Sequence, residues 1–235
     1  MKYHRIKQAE FISRPNRFIA NVLVDGVAET VHVKNTGRCR ELLSPGCTVY
    51  LEGADNPSRK TRYDLVAVEK IRESAPPLIV NIDSQIPNSA AEEWLKKGEL
   101  FSEQAVIKRE YTYGASRFDF RIEDKGKISF LEVKGVTLEI NGVVLFPDAP
   151  TERGVKHIRE LIRAKQEGFG AYILFVIQMK EVYEFRPNDI THPEFGDALR
   201  EAEEAGIKLL AYDCIVTPDS MTIDKPVRIR TEKVI

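Results

Sequence analysis

The stretch Arg117-Phe-Asp-Phe-Arg-Ile-Glu123, a polar turn, and then Ile128-Ser-Phe-Leu-Glu-Val-Lys-Gly-Val-Thr-Leu138 reads as two neighbouring antiparallel strands. It restricts the fold more than any other part of the chain. Strand side chains alternate between faces, so Glu132 and Lys134 point one way while Leu131 and Val133 point the other. A two-residue turn at Lys125-Gly126 sets Asp119 opposite Glu132; a longer loop would shift that pairing. Directly opposed residues have Cβ atoms about 5 Å apart, close enough for two carboxylates to share one cation. Glu123-Asp-Lys125 has the same acidic-x-Lys form, but it sits in the polar turn and reads as solvated loop. Glu132-Val-Lys134 is different, because it interrupts an apolar strand, and Lys and Glu are rarely buried unless paired or ligating. The competing reading is a solvent-facing strand surface with a cross-strand ion pair. Asp119, inside Phe118-Asp-Phe120, brings a third charge to the same patch and favours a site.

Composition excludes several classes. In 235 residues, 43% are hydrophobic, enough for a packed core, and no apolar run approaches the roughly 18 residues of a membrane span. The start, Met1-Lys-Tyr-His-Arg-Ile, lacks the apolar core of a signal peptide. Three cysteines, Cys39, Cys47 and Cys214, without Cys-x-x-Cys spacing indicate neither a disulfide framework nor a zinc site, so a cytoplasmic protein is expected. The net charge of −1 argues against a chain that coats nucleic acid indiscriminately, but its distribution is uneven. Residues 1–75 hold 13 Lys+Arg against 9 Asp+Glu, and the remainder holds 22 against 27. A basic first part suits phosphate and an acidic second part suits metal.

A boundary is expected at Glu73-Ser-Ala-Pro-Pro77, dividing 1–77 from 78–235, because paired prolines stop regular structure. Before it, Phe18–Val24, Glu29–Val33, Thr48–Glu52 and Tyr63–Ile71 are short strands separated by turn signals, the pattern of a small β-barrel, with Arg38–Leu43 a short helix. Beyond it, Asn88–Gly98 and Phe101–Arg109 are expected as helices, the first with Ala91, Trp94 and Leu95 on one face. After the two charged strands and a short one at Val143–Phe146, a helix opens at Pro150-Thr151 and runs to about Gln166. Val155, Ile158, Leu161 and Ile162 face its core side. Ala171–Met179 is a central buried strand, Asp197–Ala205 a helix and Lys208–Val216 a further strand.

The residues suggest chemistry directly. Mg²⁺ or Mn²⁺ takes oxygen ligands, and Asp119, Glu132 and the backbone carbonyl of Val133 can supply them. Lys134 would orient an attacking water and stabilise developing charge on a phosphodiester. Arg153 and His157 are four residues apart on one helix face near its N-terminus, a phosphate-contact arrangement, while Thr151 is its N-cap. Gln178 ends the buried strand and can hydrogen-bond into a site.

Several segments together resemble a known family. They are Arg17-Phe-Ile-Ala-Asn-Val22, His32-Val-Lys-Asn-Thr-Gly-Arg38, Tyr113-Gly114, Ser116–Phe120, Leu131–Leu138, Phe146-Pro-Asp-Ala-Pro-Thr-Glu-Arg-Gly-Val-Lys-His157 and Gly206 to Tyr212. The chain resembles the sugar fermentation stimulation protein A (SfsA) family over nearly its whole length. Asp119 followed by Glu132-x-Lys134 on the next strand resembles the PD-(D/E)xK nucleases. Cys39 stands where a larger apolar residue is expected in relatives. The resemblance implies an N-terminal OB-fold, a C-terminal α/β PD-(D/E)xK nuclease-like domain and DNA as partner, without itself implying cleavage. Such barrels hold nucleic acid in a basic groove with aromatic platforms, and the candidates are Arg17, Phe18, Lys34, Asn35, Arg38 and Arg40. Glu110 matches an acidic position associated with the family, with Glu103 as the second choice. The expected function is a DNA-binding, metal-dependent nuclease. The alternatives are a DNA-binding transcriptional regulator of sugar metabolism that does not cleave, and a metal-dependent hydrolase of small nucleotides.

Overall fold

Apolar alternation in the first third of the chain builds a barrel. The computed structural model describes every residue except Thr36, Arg38, Pro57, Glu73, Ser74, Val234 and Ile235. Strands β1 (Ile6–Asn16), β2 (Ile19–Val24), β3 (Val27–Val33), β4 (Thr48–Gly53) and β5 (Tyr63–Lys70) pair in the order β3-β2-β1-β4-β5. A parallel pairing of β3 with β5, His32↔Asp64 and Val33↔Leu65, closes the sheet on itself. Ala20, Val22, Val31, Val33, Val49, Leu51 and Leu65 are buried in the core, and closure removes the unpaired edges of an open sheet. The turn between β2 and β3 is Asp25-Gly26, with φ of 53° and 79°, the backbone that a two-residue hairpin of the correct twist demands. Strand β1, of which only Ala9 and Phe11 are buried, carries too little apolar signal to be read from sequence. The helix expected at Arg38–Leu43 is a turn over residues 40–42, where the amides of Leu42 and Leu43 both donate to the Cys39 carbonyl.

β6 (Leu78–Asn81) adds to the same sheet, antiparallel to β5, so the first sheet runs past Pro77. It also joins the barrel to the rest of the molecule. The Asn81 amide donates to the Gln178 carbonyl, and Val66 on β5 packs with Tyr3 in the core of the second part. Residue 3 therefore belongs to that second core, although it precedes the barrel in sequence.

The second part contains α1 (Ile86–Lys96), β7 (Val106–Tyr113), β8 (Ser116–Asp124), β9 (Lys127–Val136), β10 (Leu138–Ile140), β11 (Val143–Phe146), α2 (Glu152–Gln166), β12 (Gly170–Ile177), β13 (Glu184–Pro187), α3 (Pro193–Glu204), β14 (Lys208–Thr217), β15 (Ser220–Pro226) and β16 (Arg228–Ile229). Its main sheet has the order β15-β14-β12-β9-β8-β7, with β9, β12 and β14 parallel; β10, β11, β13 and β16 form a smaller sheet. Strand alternation sorts two cores. Leu131, Val133, Leu174 and Val176 meet Ala91, Trp94 and Leu95 of α1, while Phe130, Ile173 and Phe175 share a core with Val155, Ile158 and Leu161 of α2. The helix expected at Phe101–Arg109 is not formed. Residues 106–113 are instead the edge strand β7, paired with β8 from Val106↔Glu123 to Tyr113↔Ser116. Its outer face is exposed and charged, so local composition suits a helix, and pairing with β8 overrides it.

Barrel closure also concentrates charge. Asp64, 4% exposed, accepts from Arg59 at 2.6 and 3.0 Å, lies 2.9 Å from His32 Nδ1 and pairs with Lys34 at 3.2 Å. Burial raises its pKa, but Arg59, His32 and Lys34 outweigh burial and bring it down to about 2. A carboxylate depressed on folding contributes stability above its unfolded pKa and loses it as pH falls through the folded value. Asp64→Asn is expected to cost about 2 kcal/mol in urea denaturation at pH 7, with the deficit shrinking as pH falls from about 4 towards 2. A deficit that stays constant across that window would contradict this account.

Candidate functional site

β8 changes face at Asp119. Phe118 packs into the α2-side core and Phe120 into the α1-side core, although residues two apart on a regular strand share a face. Glu110, between the register pairs Arg109↔Phe120 and Tyr111↔Phe118 on β7, has φ 51° at the same level. The ladder between β8 and β9 has the register expected from a Lys125-Gly126 turn, and its pairs end at Phe120↔Leu131. One step further, Asp119 Oδ2 accepts from the Val133 amide at 2.7 Å, so a side chain replaces the missing backbone acceptor. Asp119 Oδ1 accepts from Asn88 Nδ2 on α1 at 2.8 Å.

This places Asp119 beside Glu132. Asp119, Glu132, Val133, Lys134, Thr151, Arg153 and His157 line one pocket of about 240 Å³, with Ser84, Asn88 and Gly154 completing it. Glu132, 3% exposed, crowds its contacts onto one oxygen: Oε1 accepts from Lys134 Nζ at 2.6 Å and lies 2.5 Å from His157 Nδ1. Arg153 Nε donates to His157 Nε2 at 3.4 Å, which leaves the Nδ1 hydrogen for Glu132. Thr151 caps α2, its hydroxyl accepting from the Gly154 amide at 3.1 Å, so the first turn of the helix borders the pocket.

The second oxygen, Glu132 Oε2, is buried with no hydrogen-bond partner. Burial alone would raise the Glu132 pKa, but Lys134 and His157 outweigh it and hold the carboxyl below its ordinary value. Asp119 shifts the other way: burial first, then the neighbouring Glu132 charge, raise it against the Val133 amide, Lys134 and Asn88. An ionised carboxylate with a buried, unfilled oxygen beside a second, repelled carboxylate is an environment that a cation would relieve. The two converging carboxylates offer oxygen donors of the kind a hard divalent ion takes alongside several waters, while no group of three His, Cys, Asp or Glu gathers among the described residues.

Other expected residues lie elsewhere. Glu110 is exposed and pairs with Arg117 at 3.4 Å, outside the pocket, and Glu103 is exposed in the loop between α1 and β7. Gln178 is buried and donates to Asn81 and to the Asp83 carbonyl. In the barrel, Arg17 and Arg40 line a groove of about 560 Å³ with Arg14, which the sequence reading passed over, and with Ala149 and Pro150, the residues before Thr151. Phe18, 52% exposed, follows Arg17. Asn35 turns inward, donating to the Ile82 carbonyl at 2.9 Å. Lys34 is half-buried among Glu52, Asp64 and Asp83, so its ammonium is neutralised internally and a phosphate role is disfavoured. Arg38 lies outside the described residues. Asn88, which orients Asp119, had no signal beyond its place at the start of α1.

Two family models match the chain: the SfsA N-terminal OB domain over residues 12–75 and the Sugar fermentation stimulation protein RE domain over residues 85–220. A sugar fermentation stimulation protein homolog of Clostridium beijerinckii is 55% identical, covering 95% of this chain and 96% of that one. A homolog from Ruminiclostridium cellulolyticum is 53% identical, covering 98% of this chain and 100% of that one. The chain belongs to the sugar fermentation stimulation protein family. Its barrel is the family's OB domain. The solved structure of Pyrococcus furiosus SfsA, described as in complex with Ca²⁺, superposes with a TM-score of 0.83 at 28% identity, over 98% of each chain. Among the described residues, no helix of this family member is long and apolar enough to cross a membrane.

The unfilled Glu132 oxygen generates a prediction for metal binding. Added Ca²⁺, Mg²⁺ or Mn²⁺ should raise the melting temperature with the logarithm of its concentration, measured by calorimetry, while Na⁺ at equal ionic strength should not. Glu132→Gln should abolish the rise; a rise of equal size in that variant would place the ion elsewhere.

Proposed function

We propose that the protein is a DNA-binding nuclease that cleaves phosphodiesters with Mg²⁺ or Mn²⁺. The observation that carries this reading is the convergence of Asp119, Glu132 and Lys134 with Arg153 and the capped start of α2 in one pocket. Asp119 and Glu132-x-Lys134 on neighbouring strands, between a preceding and a following helix, is the PD-(D/E)xK arrangement. Asp119, Glu132 and the Val133 carbonyl would hold the ion. When bound, such an ion neutralises the phosphodiester, polarises its oxygen and acidifies a water.

The chain's own residues supply the rest. Lys134, already hydrogen-bonded to Glu132, brings an ammonium to the place where charge develops on phosphorus-bound oxygens. Arg153 offers a guanidinium fork beside it, and the N-terminal turn of α2 adds its partial positive charge, the environment that phosphate favours. His157 keeps Glu132 oriented from behind. Pro150 lines the groove of Arg14, Arg17 and Arg40, and the next residue, Thr151, lines this pocket, so a polyanion gripped by the barrel lies on the side of the molecule that leads to the carboxylates.

Incubation of single-stranded, duplex and branched DNA with the protein and Mn²⁺ should give cutting that EDTA stops. Glu132→Ala should lower the rate at least about a hundredfold while leaving DNA affinity intact or higher. Binding to every substrate with no cutting would instead support a DNA-binding regulator of sugar metabolism. Affinity should also fall steeply with salt, and Arg17→Ala and Arg40→Ala should each reduce the slope of log K against log salt by about one. A flat salt response in the unaltered protein would remove DNA as the partner.

A further inference from the structure

Successive residues of Asp148-Ala-Pro-Thr151 line three adjoining hollows. Thr151 borders the carboxylate pocket, and Ala149 and Pro150 border the arginine groove. Asp148 borders a third cavity, of about 170 Å³, that meets the carboxylate pocket at Ser84 and the arginine groove at Gly37. Gly135, next to Lys134, forms part of its wall. The segment is anchored rather than loose. The Asn188 amide donates to the Phe146 carbonyl at 2.8 Å, the Asn188 side chain to the Pro147 carbonyl at 3.0 Å, and the Thr151 amide to His192 Nδ1 at 3.3 Å.

Asp148 and Gln178 bring acceptor oxygens to this cavity, Asn35 Oδ1 already accepts from the Gly37 amide at 2.7 Å, and Ser84 and Thr137 add hydroxyls. Gln178 spends its Nε2 on Asn81 and Asp83, which leaves Oε1 towards Gly135, where a β-carbon would stand 2.5 Å away. Asn35 spends its Nδ2 on the Ile82 carbonyl. Asp148 is an exposed residue at the rim of the cavity with no cationic partner among the described residues; partial desolvation of its carboxyl raises its pKa against the backbone amides of Asp148 and Ala149. A β-carbon at Gly37 would lie 2.4 Å from Asp148 Oδ2, so glycine there lets the carboxylate stand where it does. No Lys or Arg among the described residues lines the cavity, so it does not suit a phosphate. A single carboxylate is a thin ligand set for a divalent cation. The wall instead matches a neutral ligand rich in N–H donors, small enough to enter beside a phosphate held at Lys134 and Arg153.

We propose that this cavity receives one unstacked nucleobase next to the phosphodiester to be cut and selects guanine, whose adjacent N1–H and N2–H₂ donors match the two oxygens of Asp148. The inference rests on the nuclease reading of the neighbouring pocket. Carboxylates read base-edge N–H groups in this way, and an extruded base is recognised through its Watson–Crick edge. A base can reach the cavity only when it has left a duplex stack, so the substrate class is single-stranded or locally opened DNA.

The test uses fluorescent oligothymidylates carrying one central dG, deoxyinosine (which lacks the N2 amino group) or dA. Binding is followed by anisotropy in Ca²⁺ and cleavage by end-labelling in Mn²⁺. The dG strand should bind about tenfold more tightly than the inosine strand, and cuts should fall at a constant step from dG. Asp148→Asn and Asp148→Ala should erase that difference while keeping affinity for plain oligothymidylate. Equal binding of all three strands by the unaltered protein, no binding of any, or a dG preference that survives both variants would overturn the base site. Cleavage without dG preference removes the base site and leaves the nuclease reading intact. An Asp148-dependent dG preference without cleavage does the reverse.

Discussion

Glu132 Oε1 takes Lys134 Nζ from its own strand and His157 Nδ1 from α2, and through His157 strand β9 is tied to the second turn of that helix. A carboxylate this deep survives in ionised form only because two donors meet it. The same crowding leaves its other oxygen without a partner, and Asp119 feels the Glu132 charge. Removing Lys134 or His157 would leave a buried charge with half its support, and removing Glu132 would strand two donors. The geometry of the pocket is therefore a joint property of one strand and one helix.

A break in regularity brings the second carboxylate in. Had β8 continued as an ordinary strand, Phe118 and Phe120 would share a core, and the Val133 amide would find a backbone partner. The face change at Asp119, with the positive φ of Glu110 alongside, exchanges a ladder hydrogen bond for one made by a side chain. Irregular strand positions of this kind recur where a functional side chain must be re-aimed.

Much of this was legible in the sequence, and the parts that were not have identifiable causes. The Lys125-Gly126 turn set the register of β8 and β9, because a two-residue loop leaves little freedom. Glu132 and Lys134 stood out as charges in an apolar strand, and Thr151, Arg153 and His157 followed from helix periodicity. What alternation could not reveal was the face change at Asp119, which depends on β7, a strand whose exposed charged surface imitates a helix. Local pattern also said nothing of where long side chains end. Lys34 reads as a surface cation yet sits among Glu52, Asp64 and Asp83, carboxylates brought together only by barrel closure and by the chain leaving β6. Arg14 and Asn88 belong to the groove and the pocket through contacts between segments distant in sequence.

The way β6 bridges the two halves has a further consequence. It is a strand of the barrel sheet, its last residue bonds to Gln178 at the end of β12, and the Asn81 side chain holds the Tyr3 hydroxyl at 2.8 Å. Among the described residues the barrel and the second part are joined by these bonds as well as by the chain, so the spacing of the arginine groove and the paired carboxylates is established by folding. On the nuclease reading proposed above, a polymer engaged at both places would meet a spacing set by these bonds, and its own backbone would take up any mismatch.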